Sequence, residues 1–291
     1  SHGRLICHSA CVVRYTSGRH PATMQAPEGV MFRLLLGLVL ALSVAPAFAA
    51  IKGETVTYKA GDTVLKGYLA YDDAVQGKRP GVLVVHDWWG HGDFVRDRAR
   101  ALAALGYTAL AVDMYGNGKQ VEHPDDAGKL SGTVRGNLPV MKARFNAARD
   151  VLGKHGTVDA KRIAAIGYSF GGSTVLEMAR QGTDIVGVVN FYGDLTTQNP
   201  APKGGIKTKI LVLNAADDAM IPPEQINKFK REMASAKADY KFVNYPRTKH
   251  LFTRPAADAL AKKYNLPLAY DAEADKQSWV EMQVFFKHII G

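Results

Sequence analysis

One serine in the chain has the neighbours that a nucleophile needs. Ser169 lies in the stretch IGYSFGG, after an apolar run and ahead of a helical pattern. A G-x-S-x-G sequence between a strand and a helix is typical of a nucleophile elbow, a sharp turn that holds the serine in strained backbone geometry. Gly167 and Gly171 fit that turn because side chains there would collide with the neighbouring strand and helix. The alternative is a small residue in a glycine-rich turn, but the strand–turn–helix context favours a nucleophile.

A serine hydroxyl becomes reactive only beside a general base, which in turn needs an acid to orient it. In folds with this elbow the chain order is serine, acid, histidine. His250 follows the last predicted strand, whereas His288 belongs to the closing helix, so His250 is the predicted base. Asp217 and Asp218 stand side by side after the strand KILVLNA. Asp218 is the predicted acid because it lies at the turn before the next helix. Asp217 remains the alternative, and would otherwise stabilise that turn.

Two backbone N–H groups are expected to form an oxyanion hole. One belongs to Phe170, the residue after the serine, and the other should come from the loop HDWWGHGD after the third strand. Trp88 is the predicted second donor, with Gly90 keeping the turn open. The adjacent Trp88 and Trp89 are costly to expose, so at least one is predicted to line a pocket. Packing against the following helix is the alternative.

Alternating strand-like and helix-like segments must position these residues. The segments ETVTYKA and TVLKGYLAYD predict an opening antiparallel pair, and GVLVVHD, YTALAVDM, RIAAIGYS and KILVLNA predict strands buried on both faces. Such alternation predicts an α/β fold with a mostly parallel sheet of about eight strands and helices on both faces. The polar stretches 116–136 and 196–205 are expected to be loops or short helices over the carboxyl edge of the sheet, where ligands bind.

The N-terminal part of the chain has the pattern of a leader. Residues 31–49 combine a positive start, the apolar run LLLGLVLALSV and a small-residue exit, which predicts a signal peptide cleaved after Ala49. Residues 1–30 are interpreted as non-native or upstream-translated sequence. Residues 50–291 then form a single predicted domain, located in the periplasm or secreted. The apolar run is too short to span a bilayer, so no stable membrane insertion is expected after cleavage.

Cysteine content and charge exclude several functions. Both cysteines, Cys7 and Cys11, lie in the predicted leader, so residues 50–291 have neither a disulfide nor a thiol nucleophile. No metal site is predicted, because too few ligands lie at suitable spacing. The net charge of the chain is +10, and +7 remains without residues 1–49, which hold four arginines against one glutamate. The basic residues are dispersed with no basic run, so no nucleic-acid partner is predicted.

Taken together, these segments resemble the dienelactone hydrolase family of α/β-hydrolases. The resemblance covers nearly all of residues 50–291 and runs through VVHDWWG, RDRARALAALGY, ALAVDMYG, GYSFGGS, DDAMIPPEQ and KHLFTRP. It implies a small, lidless, usually monomeric hydrolase that needs no metal or other cofactor and acts on lactones or other activated esters.

Two residues depart from the family pattern. The family usually carries a cysteine at the elbow, where this chain has Ser169. A hydroxyl is far less acidic than a thiol, so Ser169 depends more strongly on His250 as general base. The family also often has a glutamate where Asp87 stands, an acidic residue that contacts the resting nucleophile. Aspartate is one methylene shorter, so that contact is expected to be lost or bridged by water.

Dienelactone enzymes of this family bind the substrate carboxylate with two arginines. Arg254 matches one of them, but Asn117 stands near the position of the other, so the resemblance implies an incomplete clamp. Tyr115, Tyr192 and Phe252 are expected to be pocket walls, with core packing as the alternative for each.

The sequence therefore predicts an exported serine hydrolase that cleaves small carboxylic esters or lactones. A thioesterase or small peptidase could use the same three residues with a different pocket. A hypothesis of another class is a catalytically silent scaffold that acts as an exported binding protein. The complete set of serine, acid and histidine in the correct order favours the hydrolase.

Overall fold

One eight-stranded sheet forms the centre of the protein. The structure, a computed structural model, describes residues 51–291, so the leader segments predicted at 1–30 and 31–49 lie outside the described residues. The strands are Ile51–Ala60 (β1), Thr63–Asp72 (β2), Arg79–Val85 (β3), Thr108–Val112 (β4), Val158–Tyr168 (β5), Gly187–Phe191 (β6), Lys209–Ala215 (β7) and Tyr240–Tyr245 (β8).

The strand order across the sheet is β1-β2-β4-β3-β5-β6-β7-β8. β1 pairs with β2 and β2 with β4 in antiparallel orientation, and every later neighbour pair is parallel. β1 and β2 form the predicted hairpin, which turns at Gly61 with a φ of +57°, a backbone region that glycine enters without strain. The prediction of a mostly parallel, eight-stranded α/β-hydrolase sheet is confirmed.

Seven helices occur in residues 51–291. They are Asp93–Ala104 (α1), Pro124–Arg135 (α2), Leu138–Lys154 (α3), Phe170–Arg180 (α4), Pro223–Ala236 (α5), Ala257–Tyr264 (α6) and Ala272–Ile289 (α7). None of the helices in this described part of the chain combines the length and apolar content needed to cross a membrane.

The helices cover both faces of the sheet because its central strands are apolar on both. In β3, Leu83 and Val85 belong to one core cluster, which includes side chains of α3, α4 and α5. Val82 and Val84 belong to the other, which includes side chains of α1 and α7. Successive side chains of a strand point to opposite faces, so a continuous apolar run such as GVLVV supplies both cores.

Two helices were not placed by the sequence prediction, which expected loops or short helices in 116–136. The polar stretch 116–136 contains α2, a helix of 12 residues, and α6 was not predicted at all. The beginning of α2 has recognisable signals, since Pro124 stands in its first turn and the His123 ring accepts a hydrogen bond from the Asp125 N–H. Its apolar face is narrow and includes a buried serine, so the regular spacing of apolar residues that indicates a helix is incomplete.

Candidate active site

Ser169 stands at the sharp turn between β5 and α4. Its backbone has a φ of +51° and a ψ of −112°, outside the backbone regions that residues other than glycine normally adopt. A Cβ atom on Gly167 would lie 2.0 Å from the Gly171 carbonyl oxygen, and one on Gly171 would lie 2.2 Å from the Val85 oxygen at the end of β3. Both glycines are therefore required by the close approach of helix and strand, as the sequence predicted.

Three polar side chains from distant parts of the chain form one hydrogen-bonded line. Ser169 Oγ lies 2.8 Å from His250 Nε2, and His250 Nδ1 lies 2.7 Å from Asp218 Oδ2. All three residues are at least nine-tenths buried. An ionised carboxylate can only accept, so Nδ1 carries the ring proton and Nε2 is free to accept from the serine hydroxyl. This arrangement can move the serine proton to the imidazole.

Asp218, and not its neighbour Asp217, contacts His250. Asp218 Oδ1 also accepts a hydrogen bond of 2.8 Å from the Met220 N–H, which fixes the carboxylate at the end of β7. Asp217 is exposed, and its backbone N–H donates to the Thr248 carbonyl oxygen at 2.9 Å. The turn thus sends the two adjacent side chains in different directions.

The loop after β3 places Trp88 in the lining of the same cavity as Ser169. Within residues 51–291, the N–H groups of Trp88 and Phe170 donate no hydrogen bond. The Trp88 carbonyl oxygen accepts from Tyr115 Oη at 3.0 Å, and His86 Nδ1 lies 2.6 Å from the Asp87 oxygen. These contacts hold the peptide planes around Trp88, so its N–H can be kept in a fixed orientation.

Ser169 and His250 open into a cavity of about 260 Å³. Of the predicted pocket residues, only Trp88 lines it. The other lining residues are Ser131 and Arg135 of α2, Asp194, Met220, Ile221 and Leu268. None of these six residues was predicted from the sequence. The chain positions of two of them could have indicated the site, because Asp194 follows β6 and Met220 follows Asp218, both at the carboxyl edge of the sheet where ligands bind.

The predicted substrate residues Asp87, Trp89 and Arg254 line a different cavity. This second space has a volume of about 390 Å³ and shares no lining residue with the cavity of Ser169. The Arg254 guanidinium forms an ion pair with Asp87, whose side chain is fully buried, and lies 5.2 Å from the centre of the Phe94 ring. Arg254 is therefore occupied by a protein carboxylate and does not line the space beside Ser169.

Tyr192 and Phe252 were expected as pocket walls, and the structure places both in the core instead. Tyr192 is fully buried, Tyr192 Oη lies 2.5 Å from Thr253 Oγ1, and burial raises the pKa of the phenol well above its usual value. Its ring packs edge-on against His250 at 5.3 Å between centroids, and Phe252 packs against Tyr192. The two rings therefore support the histidine and do not line the cavity.

Tyr115 and Asn117 also lie outside the cavity of Ser169. Tyr115 is buried against His86 and Phe170, and burial raises its pKa. Asn117 is exposed in a turn with a φ of +54°, and its N–H donates to the Val64 oxygen at 2.9 Å. The arginine position that Asn117 replaces therefore supplies no group to this cavity. Among residues 51–291, no cluster of side chains suited to hold a metal ion occurs.

Comparison with known proteins identifies the family to which this chain belongs. A sequence model described as the Dienelactone hydrolase family matches residues 65–290. The chain belongs to this family. Protein usf of Aquifex pyrophilus is 25% identical over 243 residues, which cover 82% of this chain and 99% of that protein.

Two solved structures of similar chains share the fold. One is titled a dienelactone hydrolase-like promiscuous phosphotriesterase, P91, from metagenomic libraries. It is 32% identical with a TM-score of 0.77 and covers 83% of this chain and 100% of its own. The structure titled m3DLH is 35% identical with a TM-score of 0.79, at the same coverage. Family and fold together make the chain a hydrolase.

Proposed function

We propose that the protein is a serine hydrolase that cleaves small carboxylic esters or lactones through an acyl-enzyme. The observation that carries this proposal is the hydrogen-bonded line from Ser169 through His250 to Asp218, at 2.8 and 2.7 Å. It begins at a strained elbow and ends at a buried carboxylate. Membership of the dienelactone hydrolase family supports hydrolysis as the reaction class.

In the first half of the proposed reaction, Ser169 Oγ attacks the ester carbonyl carbon while His250 Nε2 takes the hydroxyl proton. The carbonyl electron pair moves to oxygen, and the N–H groups of Trp88 and Phe170 stabilise the resulting oxyanion. The intermediate then collapses, the bond to the alcohol oxygen breaks, and His250 gives its proton to the departing alcohol. In a lactone, that alcohol stays attached to the acyl group.

In the second half, water hydrolyses the acyl-enzyme. His250 Nε2 takes a proton from the water as its oxygen attacks the acyl carbon, and the second tetrahedral intermediate expels Ser169 Oγ, which recovers the proton. The carboxylic acid then leaves. Asp218 keeps the Nδ1 proton of His250 in place during both steps, so the same nitrogen serves as base and acid.

The cavity supports a small substrate. At about 260 Å³ it lies just below the usual range for small-molecule sites, and Trp88, Met220, Ile221 and Leu268 form an apolar part of its wall beside the polar residues. A short acyl or alkyl group fits such a space. Thioesters and small amides would use the same three residues, and a panel of matched butyryl oxygen esters, thioesters and amides would rank them.

The variant Ser169→Ala tests the proposal directly. We expect it to lose turnover of p-nitrophenyl butyrate while its circular dichroism and unfolding temperature stay close to wild type. Turnover equal to wild type in this variant would refute the mechanism.

Covalent labelling separates the proposal from a silent binding scaffold. A fluorophosphonate should label the wild-type protein at Ser169 and leave Ser169→Ala unlabelled, because labelling requires an activated hydroxyl. A wild-type protein that resists the label would support the silent scaffold.

A further inference from the structure

A polar cavity adjoins the one that contains Ser169. It has a volume of about 480 Å³, larger than the space at the serine, and the two share Arg135 and Asp194 as lining residues. Arg135 ends α2, and Asp194 follows β6. The two cavities are therefore adjacent, with these two side chains at their boundary.

The walls of this adjoining cavity differ in chemistry from those beside Ser169. The loop after β6 contributes a run of hydroxyl and amide side chains, Thr196, Thr197, Gln198 and Asn199, and α4 contributes Ser173. Leu138 and Met141 of α3 give an apolar strip. The hydroxyl groups of Ser173, Thr196 and Thr197 donate their protons to Phe170 O, Asp194 and Glu177, so toward a ligand their oxygens act as acceptors. The side-chain amides of Gln198 and Asn199 can both donate and accept, so the walls together fit a ligand that does both.

The adjoining cavity is lined by charges of both signs, so it offers a uniformly favourable wall to neither a cation nor an anion. Arg135 lies at the junction with its guanidinium 5.6 Å from the centre of the Phe170 ring, and would repel a cation. The carboxylates of Asp194 and Glu177 line the same space, and Glu177 is already paired with Arg180 at 3.6 Å, so Asp194 is the carboxylate that would repel an anion. Glu177 already accepts hydrogen bonds from Thr197 Oγ1 and Gln181 Nε2, which keeps its carboxylate in this wall.

We propose that the substrate is an ester with two unlike halves, of which one is small and apolar and the other is uncharged and rich in hydroxyl groups, as in an ester of a sugar or of a sugar acid. The small half lies beside Ser169, and the hydroxyl-bearing half occupies the adjoining polar cavity. This inference rests on the proposed esterase function, because the scissile carbonyl must reach Ser169.

Matched esters test the substrate class on either side of the scissile bond. On the alcohol side, glucose 6-butyrate is compared with hexyl butyrate, and on the acid side, ethyl gluconate with ethyl hexanoate. Monoethyl adipate and ethyl 6-aminohexanoate add an anion and a cation at the same chain length. We expect kcat/KM to be about tenfold or more higher for the hydroxylated member of at least one pair, because several hydrogen bonds are gained.

A bulky side chain tests the location. Asn199 is exposed, and only its backbone N–H is bonded to Thr197 Oγ1, so Asn199→Trp should fill the cavity without removing that bond. Lys203→Trp is the matched control, on an exposed residue of the same loop outside the lining. We expect the preference for the hydroxylated ester to fall about tenfold in Asn199→Trp and to keep its wild-type value in the control. The double variant Gln198→Ala, Asn199→Ala should reduce the preference without adding bulk.

The outcomes separate this inference from the proposed function. If the wild type hydrolyses the esters without preference, prefers the charged ones, or keeps its preference in Asn199→Trp, the inference is overturned and the esterase function stands. If the wild type hydrolyses no ester in the panel, the proposed function fails and the inference falls with it.

Discussion

At the scale of single residues, the site depends on a serine held in strained backbone geometry. Ser169 has a positive φ, and such strain persists only where the surroundings enforce it, here through the close contacts of Gly167 and Gly171. The serine hydroxyl is a weak acid, so its reactivity depends on His250, which the Tyr192 ring supports from the side. The motif could be found from sequence because both glycines and the serine are neighbours in the chain.

The buried carboxylate gives a prediction with a built-in control. Asp218→Asn should lower kcat by about 10⁴-fold, because the amide no longer holds the imidazole in the tautomer that accepts the serine proton. Asp217→Asn makes the same chemical change at an exposed side chain that has no contact with His250. Steady-state kinetics on p-nitrophenyl butyrate compare the two variants. Equal losses in both would exclude Asp218 as the specific partner.

Arg254 is expected to act on stability. Replacing it by methionine leaves the fully buried carboxylate of Asp87 without its cation, which should lower the free energy of unfolding by about 3–5 kcal/mol. Lys228→Met breaks a pair with Glu224 that is exposed to solvent and screened by it, so this variant should unfold close to wild type. Urea unfolding measures both. A loss for Arg254→Met no greater than for Lys228→Met would show that the Asp87 pair contributes nothing to the fold.

At the scale of elements, local sequence patterns were sufficient to predict the strands of the sheet but not the residues that line the cavity of Ser169. Apolar runs identified the buried strands, because a strand covered on both faces is apolar at nearly every position. The helix α2 is different, since most of its residues are exposed and two glycines interrupt its pattern. Arg135 at its end lies beside Ser169 only because of how α2 packs, which no local pattern of the sequence encodes.

The loop between β3 and α1 gives a prediction about pH. His91 is buried, with Nε2 at 3.0 Å from the Ala111 carbonyl oxygen, and burial lowers the pKa of its ring to about 4. At pH values between the folded-state pKa of His91, about 4, and the ordinary histidine pKa of about 6.5, the unfolded chain binds more protons than the folded chain. Stability should therefore fall as the pH drops from about 6.5 to about 4.

The variant His91→Gln tests this contribution, because glutamine can donate a hydrogen bond but does not titrate. Its urea midpoint should fall less between pH 6.5 and pH 4 than that of the wild type. Identical slopes for the two proteins would assign the acid sensitivity to other groups, of which the buried His86, with a pKa also lowered by burial, is the nearest candidate.

At the scale of the whole molecule, chain order and the sheet edge located the three central residues, but not their neighbours. Ser169, Asp218 and His250 each follow the carboxyl end of a strand, and parallel strands bring those ends together. Arg254 also lies near that edge, yet its side chain turns to Asp87 and away from the cavity of Ser169. Which side of the edge a side chain faces depends on packing, which the sequence pattern does not contain.

Export remains a prediction about the whole chain. Expression from Met31 in a bacterial host with a signal peptidase should yield a mature protein that begins at Ala50, because residues 31–49 carry the three parts of a signal peptide. Intact mass of the periplasmic fraction measures this. A cytoplasmic product that retains residues 31–49 would contradict it.

Trapping and identifying the acyl-enzyme would show which residue attacks the ester. The wild-type protein is mixed with p-nitrophenyl butyrate and quenched in acid within milliseconds, and its peptides are mapped by mass spectrometry. We expect a butyryl group on the peptide that contains Ser169, with no adduct in Ser169→Ala and far less in His250→Ala. A butyryl group on another residue of the wild type, together with continued turnover by Ser169→Ala, would contradict it.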